Sequence, residues 1–188
     1  LAARILADTA AAYATSNNSA GQPPKALALL ALRLACNLFA SPQSVELAVG
    51  SGNSGACRRT TDLLVAALLA EEPSVRRTAA SLAFNLAAHV SRQAGQVDDG
   101  EDWLIELVSA IVKGVEDETA SAGSNAKESV PVVSRLLAAL ALVLFQAPES
   151  ILDLARLLNA QQVARSANTT NDALVAKVVA DIESLLAN

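Results

Sequence analysis

The sequence predicts an all-α fold built as a stack of helical layers, and three observations predict it. Apolar residues recur at helical spacing from one end of the chain to the other, and no segment alternates with period two over a strand's length. Turn formers and prolines punctuate the chain at intervals that suit helices of two to five turns. Composition agrees: the 188 residues are 52% hydrophobic, rich in Ala and Leu, with only 18% charged and 3% aromatic, which excludes disorder and disfavours an aromatic-lined pocket or base-stacking platform.

The elements follow in order. Residues 1–15 (LAARILADTAAAYAT) set Leu1, Ile5 and Ala12 at helical spacing before TSNNSAGQ breaks the pattern. Pro23 and Pro24 open the next helix, KALALLALRLACNLFA to Ala40, where a proline in the first turn forfeits no hydrogen bond. Ser41–Pro42 cap a short helix, QSVELAV, that stops at Gly50. SGNSG leads into ACRRTTDLLVAALLA, and Pro73 starts SVRRTAASLAFNLAAHVSR. The polar QAGQVDDGED loop precedes WLIELVSAIVKGVEDE, and TASAGSNAKES is expected as a flexible insert. The remaining helices are PVVSRLLAALALVLFQ, PESILDLARLLNAQ and DALVAKVVADIESLLAN.

Leu136, Leu137, Leu140, Leu142, Val143 and Leu144 encircle most of their helix, so that helix expects neighbours on most sides, as in the middle of a solenoid. An internal echo supports a repeat. ALRLACNLFA (31–40) resembles AASLAFNLAA (79–88), with Asn37 and Asn85 in register 48 residues apart. That offset is close to the period of about 40–47 residues in HEAT and armadillo repeats. A weaker copy, RLLAALALVLF from Arg135, carries Val143 where the Asn would fall. The fold expected is therefore an armadillo/HEAT-like right-handed helical solenoid with a concave peptide-binding groove. The chain reads as one domain over 1–188, with an N-terminal helix and linker over 1–22 and helical repeats over 23–188. It opens on Leu1 and holds no Met, so it reads as a piece of a longer protein.

Function classes narrow by inventory. A net charge of −5 with no long basic stripe argues against nucleic acid. The longest uncharged apolar run, Leu136–Phe145, is half of what a bilayer span needs. Cys36 and Cys57 show no metal-ligand spacing and read as reduced thiols, which suits the cytosol or nucleus. No nucleophile elbow or phosphate loop is present, so the chain reads as non-catalytic, without cofactor or metal. A cysteine hydrolase pairing Cys36 or Cys57 with His89 is the outlying enzymatic alternative.

The informative residues are polar groups set in apolar helix faces. Arg33 and Asn37 are i and i+4; Arg77, Ser81, Asn85 and His89 form a longer stripe at the same spacing; Arg135 stands in a third helix. Such groups must face water, a partner or each other, because a stranded one costs a few kcal/mol. Lining one groove, the amides of Asn37 and Asn85 suit the main chain of an extended peptide, and the arginines suit its carboxylates. The plainer readings are that the Asn residues satisfy interhelix carbonyls, that Arg33 and Arg135 snorkel to solvent, and that His89 complements a helix dipole.

The stretch LALRLACNLFA with Arg33 and Asn37, then SLAFNLAAHV with Asn85, then SRLLAALALVLF with Arg135, resembles the PUL domain, in the same order and over nearly the whole chain. This is the C-terminal module of the phospholipase-activating-protein and ubiquitin-fusion-degradation adaptors. The resemblance implies an armadillo-like solenoid that binds the C-terminal tail of the hexameric valosin-containing AAA ATPase, the unfoldase of ubiquitin-dependent degradation. It implies that Arg33 and Arg135 match the arginines of the family's positive groove. This chain departs from the family in being Ala-rich, acidic overall and interrupted by two polar inserts. The expected function is a non-catalytic, monomeric adaptor in the cytoplasm or nucleus, with Arg33, Asn37, Ser81, Asn85, His89 and Arg135 contacting the tail. The alternative is a structural or oligomerisation domain that binds another peptide or a neighbouring domain.

Overall fold

A computed structural model describes residues 25–41, 54–90, 100–168 and 172–187, and every regular element among them is helical. In chain order these are α1 (Lys25–Phe39), α2 (Ser54–Leu68), α3 (Pro73–Val90), α4 (Gly100–Phe145), α5 (Glu149–Leu157), α6 (Ala160–Ala167) and α7 (Ala173–Leu186). The expected helices at 1–15 and 43–49 lie outside the described residues.

Local chemistry sets the helix ends where the sequence signalled them. Pro73 is the first residue of α3, and the Glu72 carbonyl accepts from the amides of Val75 and Arg76 at 3.0 and 3.2 Å. Asp172 caps α7, its carboxylate accepting from the Leu174 amide at 2.9 Å.

Three expectations are corrected. The helix expected over 148–161 is broken at Leu158–Asn159: Asn159 takes a left-handed φ of 53°, and a separate α6 follows. Asn tolerates that conformation better than other non-glycine residues, so it turns the chain where periodicity alone suggests continuity. The loop expected to run to Asp102 ends earlier, at the start of α4. The third correction concerns residues 119–129, expected as a flexible insert; they are helical and lie within α4.

A straight helix of 46 residues would hold Gly114 and Leu136 about 33 Å apart. A Cβ at Gly114 would instead stand 3.1 Å from Leu136 Cδ1 and 3.3 Å from Leu68 Cδ1 of α2. The element therefore folds back between Gly114 and Leu136, and its two arms lie side by side. The Ala-Ser-Gly-Asn composition that predicted a break thus coincides with a reversal of direction, with helical residues on both sides of it. Pro131 lies within α4, in the stretch between Gly114 and Leu136 where the chain reverses.

The core follows from the two arms. Leu104, Leu107, Ile111 and Val115 of the outgoing arm and Leu136, Leu137, Leu140 and Leu144 of the returning arm are fully buried. Against them pack Leu63, Leu64 and Leu68 of α2, Leu82 and Leu86 of α3, and Ile151, Val175 and Ile182 of the C-terminal helices. Fully burying a Leu or Ile side chain stabilises by about 1.5–3 kcal/mol, so this one cluster provides the main driving force. The principal contacts of α1 are with α3, those of α3 with α1, α2 and α4, and those of α5, α6 and α7 with α4 and one another. Helices α1–α3 thus pack chiefly with one another and α4, and α5–α7 with one another and α4. Layers that touch chiefly their sequence neighbours are consistent with a helical solenoid.

Candidate peptide-binding surface

Helix α3 lies between α1 and α4, and the residues singled out from sequence sit on these three helices. Arg33 and Asn37 are exposed on α1, on the side of the helix away from the buried Ala31, Leu32, Ala35 and Phe39. Ser81 is half-buried on α3, and its hydroxyl donates back to the Arg77 carbonyl at 3.1 Å. Arg135 is exposed on the returning arm of α4 and donates to the Pro131 carbonyl at 3.1 Å. His89 belongs to α3, but its side chain lies outside the described residues.

Asn85 is brought into contact with α1. Its side-chain amide donates to the Cys36 carbonyl at 2.9 Å. Cys36 is among the last four residues of α1, whose carbonyls lack the usual partner within the helix. Asn85 therefore supplements the cap of the preceding layer, and the two Asn positions of the internal echo come to lie next to each other: Asn85 bonds the residue directly before Asn37. One of the plainer sequence readings, an amide satisfying an interhelix carbonyl, describes this bond. The amide nitrogen is engaged there, which leaves the side-chain oxygen of Asn85 as the atom for any second contact.

Cys36 is unsuited to nucleophilic catalysis. Its thiol donates to the Thr78 carbonyl of α3 at 3.5 Å, and burial pushes its pKa up to about 11. An activated thiol shows the opposite shift. Cys57 and the imidazole of His89 lie outside the described side chains. Among the described residues no three His, Cys, Asp or Glu side chains converge on a common point, and no described helix is long and apolar enough to cross a membrane.

The arginines divide into two groups. Arg156 pairs with Glu149 at 2.7 Å and Asp153 at 2.6 Å and reaches the Leu186 carbonyl, tying α5 to the end of α7; Arg165 pairs with Glu183. Arg76 pairs with Glu118 of α4 and also donates to the carbonyls of Ala70 and Glu71 at 2.8 and 2.6 Å. By contrast Arg33 of α1, Arg77 of α3 and Arg135 of α4 are exposed and pair with no carboxylate among the described residues. Among the described side chains, the guanidinium groups without a carboxylate are thus one on each of three successively packed helices.

Sequence reasoning passed over Arg76 and Glu118, although the spacing was informative. Arg76 precedes the buried Ala79, Ala80 and Ala83 by three, four and seven residues, and Glu118 follows the buried Ile111 and Val115 by seven and three. Both charges therefore occupy core-facing positions. Glu118 Oε2 is buried without a hydrogen-bond partner among the described residues, so the pair with Arg76 is what compensates the buried carboxylate.

No curated protein and no solved structure matches the chain. The family model of the PUL domain matches residues 2–181, nearly the full length, and this family consists of protein-binding helical domains rather than catalytic ones. On that match, the chain belongs to the PUL domain family.

Proposed function

We propose that this domain is an adaptor that holds the C-terminal tail of the hexameric valosin-containing AAA ATPase in ubiquitin-dependent protein degradation. The tail would run across α1, α3 and the returning arm of α4, the concave side of an armadillo-like solenoid. The observation that carries the reading is the set of unpaired, exposed guanidinium groups of Arg33, Arg77 and Arg135 on those three helices, within a family of protein-binding domains. Arg33 and Arg135 would fork onto acidic side chains or the terminal carboxylate of the tail. Asn37 and the side-chain oxygen of Asn85 would hold its main chain, with Ser81 and His89 at the margin. A local basic strip is compatible with a net charge of −5, because steering depends on local potential. On this reading the domain is monomeric and acts in the cytoplasm or nucleus.

The test is calorimetric titration with a peptide of about the last ten residues of the ATPase, and with the same peptide amidated at its C-terminus. Micromolar binding, about 8 kcal/mol, that weakens on amidation is the expected result. Arg33→Ala or Arg135→Ala should each weaken it by about 2 kcal/mol, the scale of a lost charge-assisted hydrogen bond. Affinity unchanged in both variants, or no binding up to millimolar peptide, overturns the assignment.

A further inference from the structure

The exposed ridge of α3 carries an aromatic ring beside a guanidinium. Phe84 is 38% exposed, whereas Leu82, Ala83, Leu86 and Ala87 around it are buried. Arg77, Ser81 and Ala88 fall within about 60° of Phe84 on the helix, so the four form one ridge at i, i+4, i+7 and i+11. About 100° to one side stands Asn85, bonded to Cys36 of α1, and about 80° to the other stands Arg76, paired with Glu118 of α4. The ridge is therefore held from both flanks. Ser81 and Ala88, the nearest residues along it, are too small to cover the ring.

We infer that Phe84 seats an apolar side chain of the bound tail. The inference rests on the tail-binding reading above and adds an apolar requirement to it. Arg77 on the same ridge and Arg33 on the adjoining α1 have no carboxylate partner among the described residues, so the matching occupant brings carboxylates to this surface. Exposed charge pairs contribute little affinity by themselves and act mainly on approach and register. A ring packed against an apolar side chain supplies the desolvated contact that such pairs lack. Arg77 and Phe84 are seven residues apart on α3, a rise of about 10 Å, which an extended peptide covers in about three residues. The segment that fits therefore carries an aliphatic or aromatic side chain roughly two to four residues from an acidic one.

The test titrates the 188-residue chain and its Phe84→Ala variant with the tail peptide and with a panel of that peptide in which each residue in turn is Ala. Phe84→Ala should weaken binding about tenfold, the scale of a truncated interface anchor. Its salt dependence should match that of the unmutated chain, whereas Arg77→Ala should flatten it. One apolar position of the peptide should be coupled to Phe84 by at least about threefold, its replacement costing affinity in the unmutated chain and little in Phe84→Ala. Phe84→Gln, which keeps a good helix former at an exposed site, takes the place of Phe84→Ala in the cycle if the latter loses its helical circular dichroism. Unchanged affinity in the Phe84 variant, or additive effects at every peptide position, overturns the inference and leaves tail binding standing. Absence of binding by the unmutated chain overturns both.

Discussion

The side-chain amide of Asn85 donates to the backbone carbonyl of Cys36, joining α3 to the C-terminal turn of α1 across 49 residues of sequence. The bond satisfies a carbonyl that the end of a helix leaves open. Asn85→Ala should therefore cost about 1–2 kcal/mol in urea unfolding, as a lost part-buried hydrogen bond does. Asn37→Ala, at an exposed position, should stay within about 0.5 kcal/mol. Equal effects of the two substitutions contradict the capping role.

Arg76 bolts the corner between α2 and α3 to α4 through Glu118 and the carbonyls of Ala70 and Glu71. Removing one partner strands the other, so Arg76→Ala or Glu118→Ala should destabilise by roughly 3–5 kcal/mol. The joint change Arg76→Met with Glu118→Leu removes both charges and should recover most of that loss. A double-mutant cycle by chemical denaturation measures the coupling. Additive effects would show that the pair contributes no interaction.

At Gly114 the two arms of α4 and helix α2 come together, with Leu136 and Leu68 directly over the missing side chain. Gly114→Val should destabilise by about 1–3 kcal/mol through overpacking. Gly114→Ala gains up to about 1 kcal/mol of helix propensity and crowds only the side-chain ends of two buried leucines, so it should be the milder change. If α4 were one straight helix, Leu136 would play no part in either outcome. A Gly114→Val/Leu136→Ala cycle with clear coupling checks the reversal.

Cys36 should be inert at neutral pH. With its pKa raised to about 11, its thiolate fraction at pH 8 is about a hundredfold below that of an unperturbed thiol of pKa 9.0. In a Cys57→Ser background, thiol-probe labelling should be slow when folded and fast in denaturant. The native state favours the protonated thiol, so the folded chain holds that proton over a pH range in which the unfolded chain has lost it. The resulting stability is fully present below pH 9, and titration of the group removes it as pH rises from about 9 to about 11. Unfolding curves at pH 8 and pH 10.5, compared with Cys36→Ser, test the sign.

The helical class and the positions of α1, α3 and α7 were legible in the sequence, because period and punctuation are local properties, and the resemblance to the PUL family lay in the segments around Arg33, Asn85 and Arg135. Asn37, Asn85, Arg33 and Arg135 stood out for the same reason, as polar groups interrupting apolar faces. The break at Asn159 was not legible, since Asn is an ordinary helix residue until a left-handed φ is imposed on it. Residues 119–129 were legible in part: their Gly and Ser did signal a break, and it coincides with a chain reversal between Gly114 and Leu136; what they did not signal is that these residues are helical rather than a loop.

What the sequence by itself determined, then, was which residues form helices, which faces of them are apolar, and which family the pattern belongs to. Tertiary structure alone decided the partners. It assigned Asn85 to a carbonyl of the preceding layer and Arg76 to a buried Glu118, and left Arg33, Arg77 and Arg135 exposed with no carboxylate partner among the described residues. The physical reason is that helix formation follows from contacts three and four residues apart, whereas the pairing of a charge depends on which distant element the core brings to it.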